Sequence, residues 1–460
     1  MRSKLLKFTD FTNTLLPHET EYLLSIQQFK DDDRLAILRR IDDNARQIDQ
    51  FTPFDLDIDK RKYNHLQNWI QEQLRAVDVD EQLRWMLATE QQIMTDSIVM
   101  DAEKALLKMV KGNQQPVFFT KFYELVEHYR HFLLIRLRYL DHQLVDQYLQ
   151  NYREAYQRSK AVHDKLHDAT LDIVGQYAGQ AADSRQWEDW LTTVFYDESL
   201  DGQTRYLALV RLTFLGYNYR QFDALKEKFA YLEQQFFRGE FYSRRLLVNY
   251  YNNQLMLHSH YGNYEQAAYF GYLSVRTPNH DYPLYVNNLC AVLLRLGRHP
   301  EALQLMKTAA PQVKKTSNLH NRVSFVAFYM EALNKNGLYK NAENYGSIFL
   351  KAYAKEVLQY RWHLFFSVYL EAMLYQHQYE RMLKVEQKYQ LLRQDKAYRS
   401  NANYLPIVHL FIALARFHEG ILERPTLLQM IAEYQQLYQD DPTKSRAFSN
   451  FKTKIAPWLP

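Results

Sequence analysis

At 460 residues the chain exceeds what one ordinary core can organise, unless that core extends in one dimension as it does in stacked repeats. Its 12 Gly and 12 Pro are too few to punctuate a hairpin-rich β protein or a glycine-looped nucleotide-binding fold, while 47% hydrophobic and 24% charged residues supply a large core with solvated faces and exclude a disordered chain. The formal charge of +4 conceals a gradient: residues 1–80 hold 12 Lys/Arg against 15 Asp/Glu, and residues 301–460 hold 21 against 13.

The start of the chain, Met1-Arg2-Ser3-Lys4-Leu5-Leu6-Lys7-Phe8, is broken by charge before an apolar signal region develops. No later stretch approaches the apolar length of a membrane span, so a cytoplasmic protein with no membrane partner is expected. Residues 1–112 read as an N-terminal region of several helices. Within it, Asp31-Asp32-Asp33 precedes the helical spacing Leu35, Ile37, Leu38 and Ile41. Carboxylates favour the positive end of a helix, so this triplet predicts a helix start rather than a calcium site. Gly112 to Pro116 marks a linker, and residues 117–174, which contain neither Gly nor Pro, predict long helices. The stretch 117–184 is set apart as a long-helix region in which decayed repeats are one reading.

From about residue 185 to 460 the pattern predicts successive helical hairpins and a C-terminal cap. Its turns are Tyr261-Gly262-Asn263-Tyr264-Glu265-Gln266-Ala267, Leu296-Gly297-Arg298-His299-Pro300-Glu301-Ala302 and Asn336-Gly337-Leu338-Tyr339-Lys340-Asn341-Ala342. Each places Gly where the backbone leaves the first helix and an aromatic ring two residues later, expected to fill the hairpin interior. Ala follows five residues after the Gly, where the second helix must approach the first closely. Further turns fall near residues 220, 377 and 420, with Arg220 and His377 in place of glycine at two of them. Over roughly residues 200–425 this pattern, together with Val286 to Gly297 as a first helix and Ala302 and Ala309 in the second, resembles the tetratricopeptide repeat (TPR). The resemblance implies an all-α fold: an α-solenoid of antiparallel helical hairpins, TPR-like, preceded by the N-terminal helical region. The tail from Phe451 to Pro460 is amphipathic and is expected to cover the last repeat, with self-association as the alternative if an end stays uncapped.

Catalytic machinery is not evident. The sequence has no phosphate-binding glycine loop and no nucleophile elbow. Cys290, the single cysteine, sits in the apolar run Leu289-Cys290-Ala291-Val292-Leu293, which predicts a buried small hydrophobe and excludes an intrachain disulfide. Glu124, Glu127, His128 and His131 share one predicted helix. A carboxylate-bridged metal site needs Glu and His three apart, repeated on a second helix; these pairs are four apart and fit surface pairing. No cofactor and no enzyme activity are therefore expected, and these four residues define the alternative of a helical metal-dependent enzyme. The 36 Tyr and 26 Phe, among them Tyr217, Tyr219, Tyr231, Tyr272 and Tyr329, are assigned mainly to helix packing.

Asn253 lies nine residues before Gly262, and Asn288 nine before Gly297. In peptide-binding TPR proteins an asparagine at this position faces the concave groove and hydrogen-bonds the ligand backbone, so the resemblance implies that role for these two residues. Asn249, Asn252 and Asn287 lie nearby, and Arg295 and Lys335 complete the candidate groove; the competing reading is a structural amide ladder between helices. The expected function is a non-catalytic protein-interaction scaffold holding a peptide or helix of a partner protein along residues 245–375. The basic C-terminal part supports the alternative of a nucleic-acid-binding helical repeat, although Lys314-Lys315 and Arg244-Arg245 are sparser than phosphate-binding clusters and fit a solvated face.

Overall fold

The structure, a computed structural model, describes residues 5–48, 50–177, 183–399 and 404–459. Among the described residues it is all-helical, with 23 α-helices, two short 3-10 turns and no strand. No described helix is long and apolar enough to cross a membrane. Contacts divide the chain into two compact units, Met1–Asn253 and Gln254–Pro460.

The first unit contains α1 (Leu6–Thr12), α2 (Pro17–Ile26), α3 (Asp32–Arg46), α4 (Lys60–Val77), α5 (Val79–Met94) and α6 (Met100–Lys111). After the Gly112 to Pro116 break come α7 (Phe119–Ile135) and α8 (Tyr139–Tyr177), the long helices expected of a stretch without Gly or Pro. Then follow α9 (Glu188–Tyr196), α10 (Gly202–Tyr219), α11 (Asp223–Phe237) and the first part of α12 (Arg244–His260), within which the unit boundary falls. Helix starts follow the acidic signals in the sequence. The Asp31 side chain accepts from the Asp33 N–H at the head of α3, and Lys62 reaches Asp31 at 3.0 Å and Asp33 at 2.6 Å, so the triplet caps a helix and pairs with a cation. Asp78 and Asp201 cap α5 and α10 in the same way.

The second unit continues with α13 (Tyr264–Ser274), α14 (Tyr282–Arg295), α15 (His299–Val313), α16 (Leu319–Lys335), α17 (Tyr339–Tyr360) and α18 (Trp362–Leu374). It ends with α19 (Tyr379–Tyr389), α20 (Leu391–Tyr398), α21 (Ile407–His418), α22 (Arg424–Leu437) and α23 (Pro442–Ile455), followed by the 3-10 turn Ala456–Trp458. Neighbouring helices pack as pairs, and the first helix of each hairpin also packs on the first helix of the next, in the series α14, α16, α18, α21. One core of aliphatic and aromatic side chains therefore runs from Leu255 to Trp458.

The hairpin turns share one left-handed backbone conformation. Gly262, Gly297, Gly337 and Gly420 have φ of +77°, +74°, +72° and +71°, and Arg220 and His377 take the same left-handed conformation at +57° and +53° without being glycine. At each turn the next residue's N–H reaches back to the first helix, as in Asn263 to His258 O (2.9 Å), Arg298 to Leu293 O (3.0 Å), Leu338 to Leu333 O (2.9 Å) and Gln378 to Met373 O (3.0 Å). This is the left-handed helix stop that closes otherwise unpaired carbonyls. Five residues after the turn, Ala267, Ala302, Ala342 and Met382 are fully buried, as close helix approach requires. Gly271 and Gly346 lie four residues farther on; a Cβ at Gly346 would collide with Met330 Sδ and stand 2.8 Å from Tyr369 Cδ2.

The rings two residues after the turns divide: Phe222, which follows Arg220, is buried as expected, and the others are not. Tyr264, His299, Tyr339 and Tyr379 are only half-buried, with Tyr264 and Tyr379 packed against the edge of the core. Tyr339 stacks on Tyr375 (4.3 Å, 6°), Tyr379 stacks on His418 (4.4 Å, 10°), and the Arg295 guanidinium lies 5.7 Å from the Tyr264 ring. Each partner stands two residues before the next turn. At the hairpin end such a ring gains a further contact with a side chain at the end of the next first helix.

Candidate interaction face

Counting back from each turn puts equivalent first-helix residues in register along α14, α16, α18 and α21. Nine before the turn stand Asn288, Phe328, Val368 and Phe411; six before, Ala291, Glu331, Glu371 and Leu414; two before, Arg295, Lys335, Tyr375 and His418. Because the first helices pack in series, these positions form rows across the unit. Asn288 and Phe328 are half-buried, and Arg295 and Lys335 are exposed. Arg295 Nη1 donates to Ser259 Oγ at 3.0 Å. Burial raises the pKa of the Glu331 carboxyl and Glu371 adds to the effect, against the opposing pull of Lys454, Lys335 and Arg295. The charges on this face are thus coupled across four helices.

The other candidate asparagines are placed differently. Asn252 and Asn287 are buried. The Asn287 amide donates to the Asn321 carbonyl at 3.1 Å, and Asn334 repeats the device one hairpin on, donating to the Val368 carbonyl at 3.0 Å. Each ties one first helix to the backbone of the next. In the first unit Asn253 Nδ2 donates to Asn249 Oδ1, and the hydroxyls of Tyr217 and Tyr206 donate to Asn253 and Asn249, all at 3.1 Å. These two amides are therefore engaged with α10 of their own unit.

Cys290 is fully buried, and that burial pushes its thiol well above the usual range. Of the four metal candidates, His128 Nδ1 lies 3.0 Å from Glu90 Oε1, and Glu124 lies 3.5 Å both from the Lys121 ammonium and from the Tyr156 hydroxyl. Glu127 is half-buried and His131 exposed. Among the described residues no group of three or more His, Cys, Asp or Glu side chains is arranged to hold a metal ion.

Two features escaped sequence reading. Glu371 and Glu331 share a row, each six residues before a left-handed turn residue, His377 and Gly337, on first helices that pack together. The second is an apolar end of the first unit, where Met94, Met100, Ile135, Leu137 and Leu140 are 67%, 68%, 77%, 67% and 85% exposed. Its two loops are joined by Arg136 and Asp96 at 2.6 Å. Compared with protein-family models, with curated proteins and with solved structures, the chain matches none.

Proposed function

We propose that the second unit is a solenoid of TPR-type hairpins and that the chain is a non-catalytic, cytoplasmic scaffold, holding a helix or extended segment of a partner protein along its first-helix face. The observation that carries this reading is the register. Asn288, Phe328, Glu331, Arg295 and Lys335 recur at fixed distances from successive turns and combine amide, ring and charge on one row of helices. Such a row offers evenly spaced anchors for an elongated ligand, and stacked hairpins present it without a deep pocket. The buried amides Asn252 and Asn287 belong to the framework beneath the surface, so the binding role falls to Asn288, Arg295 and Lys335.

Cross-linking mass spectrometry of the full chain in native lysate tests this reading. A partner protein is expected to cross-link at Lys335, and the link is expected to disappear in Arg295→Glu/Lys335→Glu with helix content unchanged by circular dichroism. Cross-links confined to the first unit would refute it. Retention of a species destroyed by nuclease but not by protease would assign the face to nucleic acid instead.

A further inference from the structure

The cation that meets Glu371 comes from the chain's own C-terminal helix. Lys454 Nζ stands 2.5 Å from Glu371 Oε1, with the Glu371 side chain 6% exposed and that of Lys454 28%. Four residues on, the Trp458 ring stands edge-on to Tyr375, 4.6 Å between centroids, and its carbonyl accepts from His418 Nε2 at 3.1 Å. Phe451 meets Phe411 at 5.4 Å. A helix serving only as the next first helix would pack on α21 and α22. This segment also reaches past α21 to α18, and it does so at the rows six and two before the turn.

Two things hold the docked segment: the Lys454–Glu371 pair, and Phe448, Phe451, Ile455 and Trp458, which are buried in the core of the unit. Between Pro442 and Ile455 the helix carries Lys444, Arg446, Lys452 and Lys454 and no acid, and it approaches the row that holds Glu331 and Glu371. A 14-residue helix is marginal in isolation, so undocking it converts an ordered strap into a flexible basic tail. The same rows on α14 and α16 still present Arg295 and Lys335 exposed. The docked helix thus occupies one end of a surface that continues beyond it.

Resting on the scaffold reading above, we propose that α23 is an intramolecular ligand of the first-helix face. Its external counterpart is an amphipathic helix of another protein carrying a lysine and, four residues later, an aromatic residue, which displaces α23 and takes over Glu371 and Tyr375. The strap then sets the threshold for binding: apparent affinity falls by the fraction of time α23 is docked.

The probe is a fluorescein-labelled peptide of residues 442–459, titrated by anisotropy against the full chain and against full-length Lys454→Glu/Trp458→Ala. The variant is expected to bind at least about tenfold more tightly than the unaltered chain, and adding Glu371→Gln to it is expected to cancel the gain. Equal binding by both chains, with helix content retained, overturns the proposal. Should the variant lose its fold, hydrogen exchange on the unaltered chain decides: excess isotope-labelled peptide must speed exchange over residues 442–459, and unchanged exchange overturns the proposal. Displacement by single-stranded RNA but not by peptide overturns the partner class. If α23 stays docked while partner cross-links to Lys335 persist, the scaffold reading stands and this inference fails.

Discussion

Glu19 and Arg244, 225 positions apart in the chain, form a two-point ion pair, with Arg244 Nε 2.9 Å from Oε1 and Nη2 2.8 Å from Oε2. The Glu19 side chain has no exposure. The Tyr242 hydroxyl donates to it at 2.7 Å and the Leu16 N–H at 2.9 Å, so all its acceptor capacity is used. Glu19→Ala leaves these donors without an acceptor, and breaking such a pair costs about 3 kcal/mol or more. The first unit is expected to lose that stability in urea unfolding followed by circular dichroism, with Glu19→Gln losing less.

The left-handed turn residues predict effects of opposite sign at equivalent positions. His377 holds φ +53° where its counterparts are glycine, so His377→Gly relieves backbone strain and should raise stability by about 0.5 kcal/mol after the entropy glycine adds to the unfolded chain. Gly297→Ala has open space for its Cβ but not for its φ of +74°, and should cost about 1 kcal/mol. Thermal unfolding of the two single variants tests the pair.

Tyr339 and Tyr375 stack 4.3 Å apart with planes 6° from parallel. A double-mutant cycle to Leu is expected to return a coupling energy of about 1 kcal/mol. A coupling near zero would mean that the edge row adds nothing to hairpin cohesion beyond area.

His409 gives the second unit a pH dependence. Its Nδ1 lies 2.7 Å from the Tyr434 hydroxyl, and burial, with Arg399 and Arg416 nearby, lowers its pKa to about 4 from 6.5. The unfolded chain binds this proton first, so the stabilisation is complete above pH 6.5 and is lost as pH falls toward 4. His409→Gln should flatten that part of the stability profile, measured by denaturant unfolding across the window.

Glu331 works in the opposite sense. Its carboxyl is raised by burial and by Glu371, while Lys454, Lys335 and Arg295 pull it down. The folded state therefore holds its proton longer than the unfolded one, and stability falls as pH rises from the ordinary carboxylate value of 4.5 through the raised one. Glu331→Gln is expected to stabilise the chain at neutral pH. Lys454→Ala should deepen the loss at neutral pH, because it removes one of the three cations. Unfolding midpoints at pH 4 and pH 7 distinguish the two variants.

The sequence by itself determined the helical class, the positions of the turns and the identity of the buried small residues. Each follows from local constraints: scarce Gly and Pro favour long helices, a positive φ selects Gly262, Gly297 and Gly337, and close helix approach selects Ala267, Ala302 and Ala342. It also marked the anomalies at Arg220 and His377, which keep the conformation while paying its strain. Tertiary structure alone decided which side of each first helix is buried. Asn287 and Asn288 are neighbours in sequence, yet one ties two helices together and the other reaches the surface, because a helix turns about 100° per residue and only packing fixes its rotation. The same reason hid the pairing of Lys454 with Glu371. Their meeting depends on where the last helix lies across α18 and α21, and local sequence carries no signal for a contact made 83 residues away.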